Sequence, residues 1–153
     1  MKTSTKLDSG NEFLQGFRGP FIGIMEWKLL DEFWRNLEDH DSENWYIYAI
    51  GEAVPSAPVE PSQVAIFTRK IDALIRHEHP EDYCGIVYTD SKTDPSFIKI
   101  YDPNNLGVVC GFSNSPPLPG WVMSKIPPVE LNANSVLPAN RRHWWQHIWK
   151  KAS

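Results

Sequence analysis

Three residues with reactive side chains lie close together near the middle of the chain. His77 and His79 belong to the segment RHEHPEDYC, which ends at Cys84. A cysteine beside a histidine base is a nucleophile, and cysteine with histidine also binds zinc. Proximity in sequence does not ensure that nucleophile and base meet in space, and a buried thiol usually serves as a small apolar side chain. We therefore treat these residues as weak catalytic candidates.

A second histidine pair lies near the C-terminus. His143 and His147 are four residues apart, so on a helix both imidazoles can reach one metal ion. However, position 144 is tryptophan where the HExxH motif has glutamate, and the sequence contains no CxxC. We expect no native metal site and no cofactor. If a metal does bind, His77, His79, His143 and His147 are the candidate ligands.

The chain has only two cysteines, Cys84 and Cys110, and each precedes a glycine at the end of a predicted strand. The two thiols are either buried apolar groups or a redox pair facing across the sheet. Two cysteines are too few for a disulfide scaffold in a chain of this length. We therefore expect a reducing location, the cytoplasm.

Several carboxylates fall at predicted turns. Asp90, Asp94 and Asp102 each stand beside Ser, Thr or Pro, where such side chains bond to the backbone of their own turn. We expect structural roles for these three. Glu52 follows a predicted strand and precedes a long loop, a position where sites often occur. It joins the weak catalytic candidates.

The segment RRHWWQHIWKK predicts a basic C-terminal helix over 141–151. Trp144, Trp145 and Trp149 share one broad apolar face with Ile148. This face either docks on the body of the domain, binds the groove of a partner protein or lies on a membrane surface. Three tryptophans are too many for one narrow buried stripe, so at least one should be exposed at its edge. That tryptophan is the first place to look for a partner.

Two arginines begin this helix. Arg141 and Arg142 oppose the helix dipole, so we expect acidic neighbours for both. The candidate partner-binding residues are these two arginines and the three tryptophans. Asn140 is the predicted N-cap.

The first half of the chain predicts two helices around one strand. Apolar residues recur at helical spacing from Ile24 to about Asp39, and again over Pro61–Glu78. Between them, WYIYAI over Trp45–Ile50 is continuous and aromatic, as expected of a strand buried on both faces at the centre of a sheet. The glycine-rich stretch 13–23 predicts irregular chain whose phenylalanines pack on the core.

The second half predicts an antiparallel meander. Its four short β-rich runs, CGIVYTD, SFIKIYD, LGVVCGF and GWVMSKI, are separated by turn residues. The overall order is α-β-α-β-β-β-β-α, which indicates an α+β fold with helices packed on one face of a mainly antiparallel sheet of about five strands. We expect a mobile tail over 1–12 and a single α+β domain over 13–153.

Composition narrows the function without identifying it. Of 153 residues, 41% are hydrophobic and 22% are charged, as in ordinary globular proteins. The net charge of -4 combines +4 on the last thirteen residues with -8 on the rest. An acidic body argues against nucleic-acid binding, and no apolar run approaches the roughly 18 residues of a membrane helix.

Two functions remain open. The first is a small accessory or adaptor domain that binds another protein, because seven tryptophans suit an interface and no coherent catalytic constellation is visible. The alternative is a small enzyme or a ligand- or metal-binding domain with its site near His77, His79 and Cys84.

Overall fold

The computed structural model describes the backbone of residues 5–105, 118–131 and 137–150, with side chains from residue 12 to 104 in the first range. These residues form four helices and a five-stranded antiparallel sheet, which confirms the α+β class. The elements are α1 (Thr5–Arg18), β1 (Ile22–Ile24), α2 (Trp27–His40), β2 (Tyr46–Ala49), α3 (Pro61–Glu78), β3 (Val87–Thr89), β4 (Phe97–Ile100), β5 (Trp121–Ser124) and α4 (Ala139–Ile148).

Helix α3 spans the residues that its sequence predicts. Pro61 occupies the first turn, where its missing N–H costs no hydrogen bond. Just before it, the backbone N–H of Glu60 donates to the Gln63 side chain, while the Glu60 side chain accepts from the Gln63 N–H. This capping box fixes the start of the helix.

Helix α2 begins three residues later than predicted. Ile24 belongs to β1 instead, and Glu26 is the N-cap. The buried face of α2 consists of Leu30, Phe33, Trp34 and Leu37. Met25 and Leu29, which the sequence assigns to the same apolar face, remain exposed.

The aromatic strand exists, but its predicted central position is wrong. The strand order is β1-β3-β4-β5-β2, which puts β2 at an edge. Ile47 faces the cluster beneath the helices, and Tyr48 faces a second cluster on the opposite side of the sheet. Both faces are therefore covered although only one edge is paired. A continuous apolar run indicates that both faces of a strand are covered, but it does not indicate how many neighbouring strands are hydrogen-bonded to it.

The prediction of irregular chain over 13–23 is wrong for most of that stretch. Helix α1 continues to Arg18 and β1 occupies Ile22–Ile24. Phe13 is fully buried, 5.1 Å from the ring of Phe97, so the expected packing of the phenylalanines on the core is confirmed there. A Cβ at Gly16 would lie 3.0 Å from that same ring, so a glycine lets α1 approach the sheet. The mobility predicted for residues 1–12 stays a prediction, although α1 already begins at Thr5.

Helices cover both faces of the sheet, and not one face as expected. Helices α2, α3 and α4 contribute to the larger cluster, whereas Phe13 of α1 joins the cluster on the other face. The long loop after β5 adds Ile126, Val129 and Leu131 to that second cluster. The loop and α1 both contribute to the cover of this face.

The meander is present where it is described. Strand β4 pairs with β3 on one side and β5 on the other, both antiparallel. The predicted strand in LGVVCGF, residues 106–112, lies outside the described residues, and the fifth strand is β1. Within the described ranges, no helix combines the length and apolar character needed to cross a bilayer.

Helix α4 starts two residues earlier than predicted. Its N-cap is Pro138 and not Asn140, whose Oδ1 instead accepts a hydrogen bond from the Arg141 N–H, 2.9 Å away. Pro138 sets an extended backbone that leads directly into the first turn. The described helix ends at Ile148.

Candidate functional site

Arg141 joins three separate elements through its guanidinium. Nε and Nη2 each donate to the Asp102 carboxylate at 2.9 Å, and Nη1 and Nη2 donate to Glu78 at 3.0 and 2.6 Å. Asp102 follows β4 and Glu78 ends α3. The arginine therefore fastens the start of α4 to both, in the bidentate geometry that suits a guanidinium.

We call this cluster of Arg141, Asp102 and Glu78 the Arg141 clamp, and it shifts the pKa values of Glu78 and Arg141. Hydrogen bonding from Arg141 lowers the pKa of Glu78, and the two carboxylates raise the pKa of Arg141. Arg142 has an acidic neighbour as well, since its Nε lies 3.3 Å from Glu52. The expectation of acidic neighbours for both arginines is confirmed. Because Arg141 is only 3% exposed, it is not part of an accessible partner-binding surface.

The three tryptophans of α4 and its C-cap pack against the core. Trp144 meets Trp121 edge to face at 5.5 Å, and the Trp145 and Trp149 rings lie 6.1 and 6.3 Å from the ring of Phe67. All three are half-buried. As the sequence predicts, the three are not all buried, but no single one is exposed at the edge, because the three rings share the edge of the core. Whether any of them contacts a partner stays a prediction.

The structure brings His79 together with Cys84. His79 Nε2 lies 2.9 Å from the Cys84 backbone oxygen, not from its sulfur, and both residues are buried. Burial raises the pKa of the Cys84 thiol, which disfavours the nucleophilic thiolate. His77 is exposed on α3. Cys110 lies outside the described residues, so the proposed redox pair stays a prediction.

The other candidates occupy surface or turn positions. His143 and His147 stack with ring centroids 6.3 Å apart, and both are exposed. Across residues 12–104, 118–131 and 137–150, no three His, Cys, Asp or Glu side chains are grouped to hold a metal ion.

Two of the three predicted turn carboxylates, Asp90 and Asp102, bond to backbone. Asp90 accepts from the N–H groups of Ser96 and Phe97 at 3.0 and 3.1 Å, and Asp102 accepts from that of Asn104 at 2.9 Å. Asp94 is exposed, and its N–H donates to the Ser91 hydroxyl. The ion pair of Asp102 with Arg141 goes beyond a turn role and could not be read from the sequence.

A lysine on the sheet lies among aromatic rings. Lys99 Nζ is 4.2 and 4.0 Å from the ring centroids of Phe17 and Phe21. Burial lowers the pKa of this amine, whereas the two ring faces favour its ammonium form. The aliphatic stem of Lys99 thus extends the cover of α1 over this end of the sheet.

An apolar groove, which the sequence did not predict, lies between β1, α2 and the turn after β3. Its volume is about 400 Å³, and it is lined by Ile24, Leu29, Glu32, Phe33, Asn36, Lys92 and Thr93. We call this feature the β1 groove.

Four exposed apolar side chains lie on or just after β1, at the start of α2 and in the chain just before β3, and one of them, Leu29, lines the β1 groove. Ile22, Met25, Leu29 and Tyr83 are 47%, 50%, 38% and 51% exposed. Met25 and Tyr83 meet over Gly85, since both approach within 3.4 Å of the point where a Cβ would lie. Among the described residues, only Ile66 on α3 is another large hydrophobic side chain with such exposure. The sequence signal for this exposed apolar surface was the width of the apolar face of α2, because one neighbouring layer cannot cover a face that wide.

Comparisons with models of protein families, with curated proteins and with solved structures give no match. The geometry of this chain is therefore the basis for a functional proposal.

Proposed function

We propose that this chain is an accessory or adaptor domain that binds another protein, and that the partner contacts the β1 groove. One observation carries the proposal: of the five exposed large apolar side chains in the described residues, three lie within residues 22–29 and a fourth, Tyr83, meets Met25 of that segment, while Leu29 lines the groove itself. Clustered exposed apolar surface marks interaction sites in folded proteins, whereas single exposed apolar residues are ordinary.

The β1 groove supports this function better than the α4 surface does. The rings of Trp144, Trp145 and Trp149 already contact Trp121 or Phe67, and Arg141 is occupied by Asp102 and Glu78. A partner at α4 would have to use the exposed side of the helix, which carries His143, Gln146 and His147. That side is polar and offers little area for an interface core.

The enzyme alternative gains no support from the described geometry. Catalysis by Cys84 requires an accessible thiolate next to a free base. Instead, the thiol is buried with a raised pKa, and the His79 ring bonds to a backbone oxygen. A cytoplasmic location remains our proposal, supported by the free buried thiol of Cys84.

Site-specific photo-crosslinking in the native host tests this function. A photoreactive phenylalanine is placed at position 22 or 29 in the groove region, at exposed position 66 on α3, or at exposed position 146 on α4. We expect both groove positions to give the same adduct and position 66 to give none. Position 66 is a matched control because Ile66 and Leu29 are both 38% exposed.

Other outcomes count against the proposal. Equal adducts from all four positions would indicate random collisions. An adduct from position 146 alone would place the interface on α4 and contradict partner binding at the β1 groove. The absence of adducts from positions 22 and 29, with the protein folded and expressed, would refute protein binding at this site.

A further inference from the structure

Helix α2 has two flanks beside the face that it buries on the sheet. Asp31, Trp34 and Glu38 form one flank, and each of them contacts a side chain of α3. The other flank lines the β1 groove and consists of Leu29, Glu32, Phe33 and Asn36. Because a helix turns by about 100° per residue, the two sets lie on opposite sides of α2. We call the second set the outer flank of α2.

The outer flank has the spacing of a surface on which another helix packs. Its members are separated by three, four and seven residues, and side chains at these spacings form the ridges that fit a neighbouring helix. The flank is about 10 Å long, which corresponds to two helical turns. All described residues that line the β1 groove belong to β1, to α2 or to the turn between β3 and β4. The described residues therefore place no second helix against this flank.

The β1 groove is apolar where such a helix would lie. Ile24 and Phe33 are buried at its floor, and Leu29 is partly exposed beside them. Helices that bind in grooves insert apolar side chains spaced at i, i+3, i+4 and i+7. A helix of this kind would extend the layer that α2, α3 and α4 form on this face of the sheet.

The two charged residues that line the groove have opposite signs. Glu32 belongs to the α2 side of the groove and Lys92 to the turn side. Both are exposed, and neither forms an ion pair with another residue in the described part of the chain. A bound helix with a basic residue toward α2 and an acidic residue toward the turn meets an opposite charge on each side.

These two charges also select the direction of the bound helix. Reversing a helix while its apolar face stays in the groove exchanges its two edges. The basic edge would then face Lys92 and the acidic edge would face Glu32, and like charges at an interface are unfavourable.

We propose that the β1 groove binds an amphipathic helix of the partner protein, packed along the outer flank of α2. The apolar stripe of this helix is flanked by a basic residue on the edge next to Glu32 and by an acidic residue on the edge next to Lys92. This inference rests on the proposed function, and it names the conformation and the chemistry of the partner at the same site.

Selection from a random-peptide display library on the immobilised full chain tests the inference. We expect enriched peptides with apolar residues at helical spacing, a basic residue on one edge of the stripe and an acidic residue on the other. A synthetic copy of an enriched peptide is then given a proline at a central position on its outward side. This change should weaken binding at least about tenfold, because it breaks the helix without altering the side chains in the groove.

Charge reversal places the peptide on the structure. Glu32→Lys should weaken binding of the synthetic peptide about fivefold, and exchanging the basic residue of the peptide for Glu should restore it. Lys92→Glu should do the same, with rescue by Lys in place of the acidic residue of the peptide. Two exposed charges elsewhere supply matched controls, Glu12→Lys on α1 and Lys70→Glu on α3, and both should leave binding unchanged.

Several results would overturn the inference. Enriched peptides without helical spacing, tolerance of the central proline, or losses that the reversed peptides do not restore would each refute a helix in this groove. A dimer of the chain in light scattering that Glu32→Lys dissociates would show that a second copy is the occupant. Crosslinks from positions 22 and 29 without any enriched peptide would refute this inference but leave the proposed function standing. Absence of both would refute the two together.

Discussion

Arg141 is the single residue on which the attachment of the last helix depends most. Its side chain is 4% exposed and that of Asp102 is 10% exposed. Removing the guanidinium therefore leaves a buried carboxylate without its partner. We predict that Arg141→Met lowers the free energy of unfolding by about 3 to 5 kcal/mol. Chemical denaturation followed by circular dichroism measures the change.

The neighbouring arginine supplies the control. Arg142 is 47% exposed, so Arg142→Ala should cost no more than about 1 kcal/mol. Adding Asp102→Asn to Arg141→Met should recover part of the loss, because it removes the unpaired charge. Equal effects of the two arginine substitutions would contradict a buried clamp.

Glu78 makes the clamp dependent on pH. Its pKa is lowered below the ordinary value of 4.5, mainly by hydrogen bonding from Arg141. A group whose folded pKa is depressed stabilises the fold above its unfolded pKa, and this contribution is lost as pH falls through the folded pKa. We predict that wild type exceeds Glu78→Gln in stability at neutral pH and that the difference shrinks below about pH 4.5. Urea denaturation over this range measures it, and a difference independent of pH would contradict the assignment.

At the level of elements, Gly16 lets α1 lie close to the sheet. Alanine at position 16 should normally stabilise a helix by about 1 kcal/mol, but here its Cβ would meet the Phe97 ring at 3.0 Å. We predict no gain from Gly16→Ala in the wild type and a gain of about 1 kcal/mol in a Phe97→Leu background. A double-mutant cycle by denaturation measures the coupling. Equal gains in both backgrounds would show that the contact is relaxed.

Elements whose signals are local were predictable from the sequence. The bounds of α3 follow from Pro61 and from apolar spacing along its own residues, and no distant contact is needed to place them. Helix α1 shows the opposite case. Its glycines read as helix breakers, but Gly16 is required by Phe97, which lies far away in sequence. Local propensity was overruled by packing.

The position of a strand in the sheet was not predictable in the same way. WYIYAI indicated two covered faces, which β2 has, but strand order depends on which distant chain segments pair. The β1 groove was hidden for the same reason. It exists because Ile24 joins a three-residue strand at the sheet edge, and a strand that short leaves almost no periodic signal. The Arg141 clamp likewise joins residues 63 and 39 positions apart.

At the scale of the whole molecule, the basic last helix packs on the acidic body. Phe67 and Trp121 are fully buried, and the rings of α4 and its C-cap are part of their cover. The charge asymmetry of the chain is therefore at least partly internal, because Arg141 and Arg142 pair with carboxylates of the body. A helix that looked like a separate binding element is a layer of the core.

Removing the last helix tests this view against a role in recognition alone. A chain that ends at residue 138 loses the Arg141 clamp and three half-buried tryptophans, and single Trp→Ala losses in cores cost about 3 to 5 kcal/mol. The total is comparable with the stability of a whole domain, about 5 to 15 kcal/mol. We predict loss of cooperative thermal unfolding and increased binding of a hydrophobic dye. A His143→Ala, Gln146→Ala variant, which alters only exposed positions of α4, should retain both properties of the wild type. If the shortened chain instead melts cooperatively at the wild-type midpoint, the body is complete without α4, and its tryptophans would be free to bind a partner.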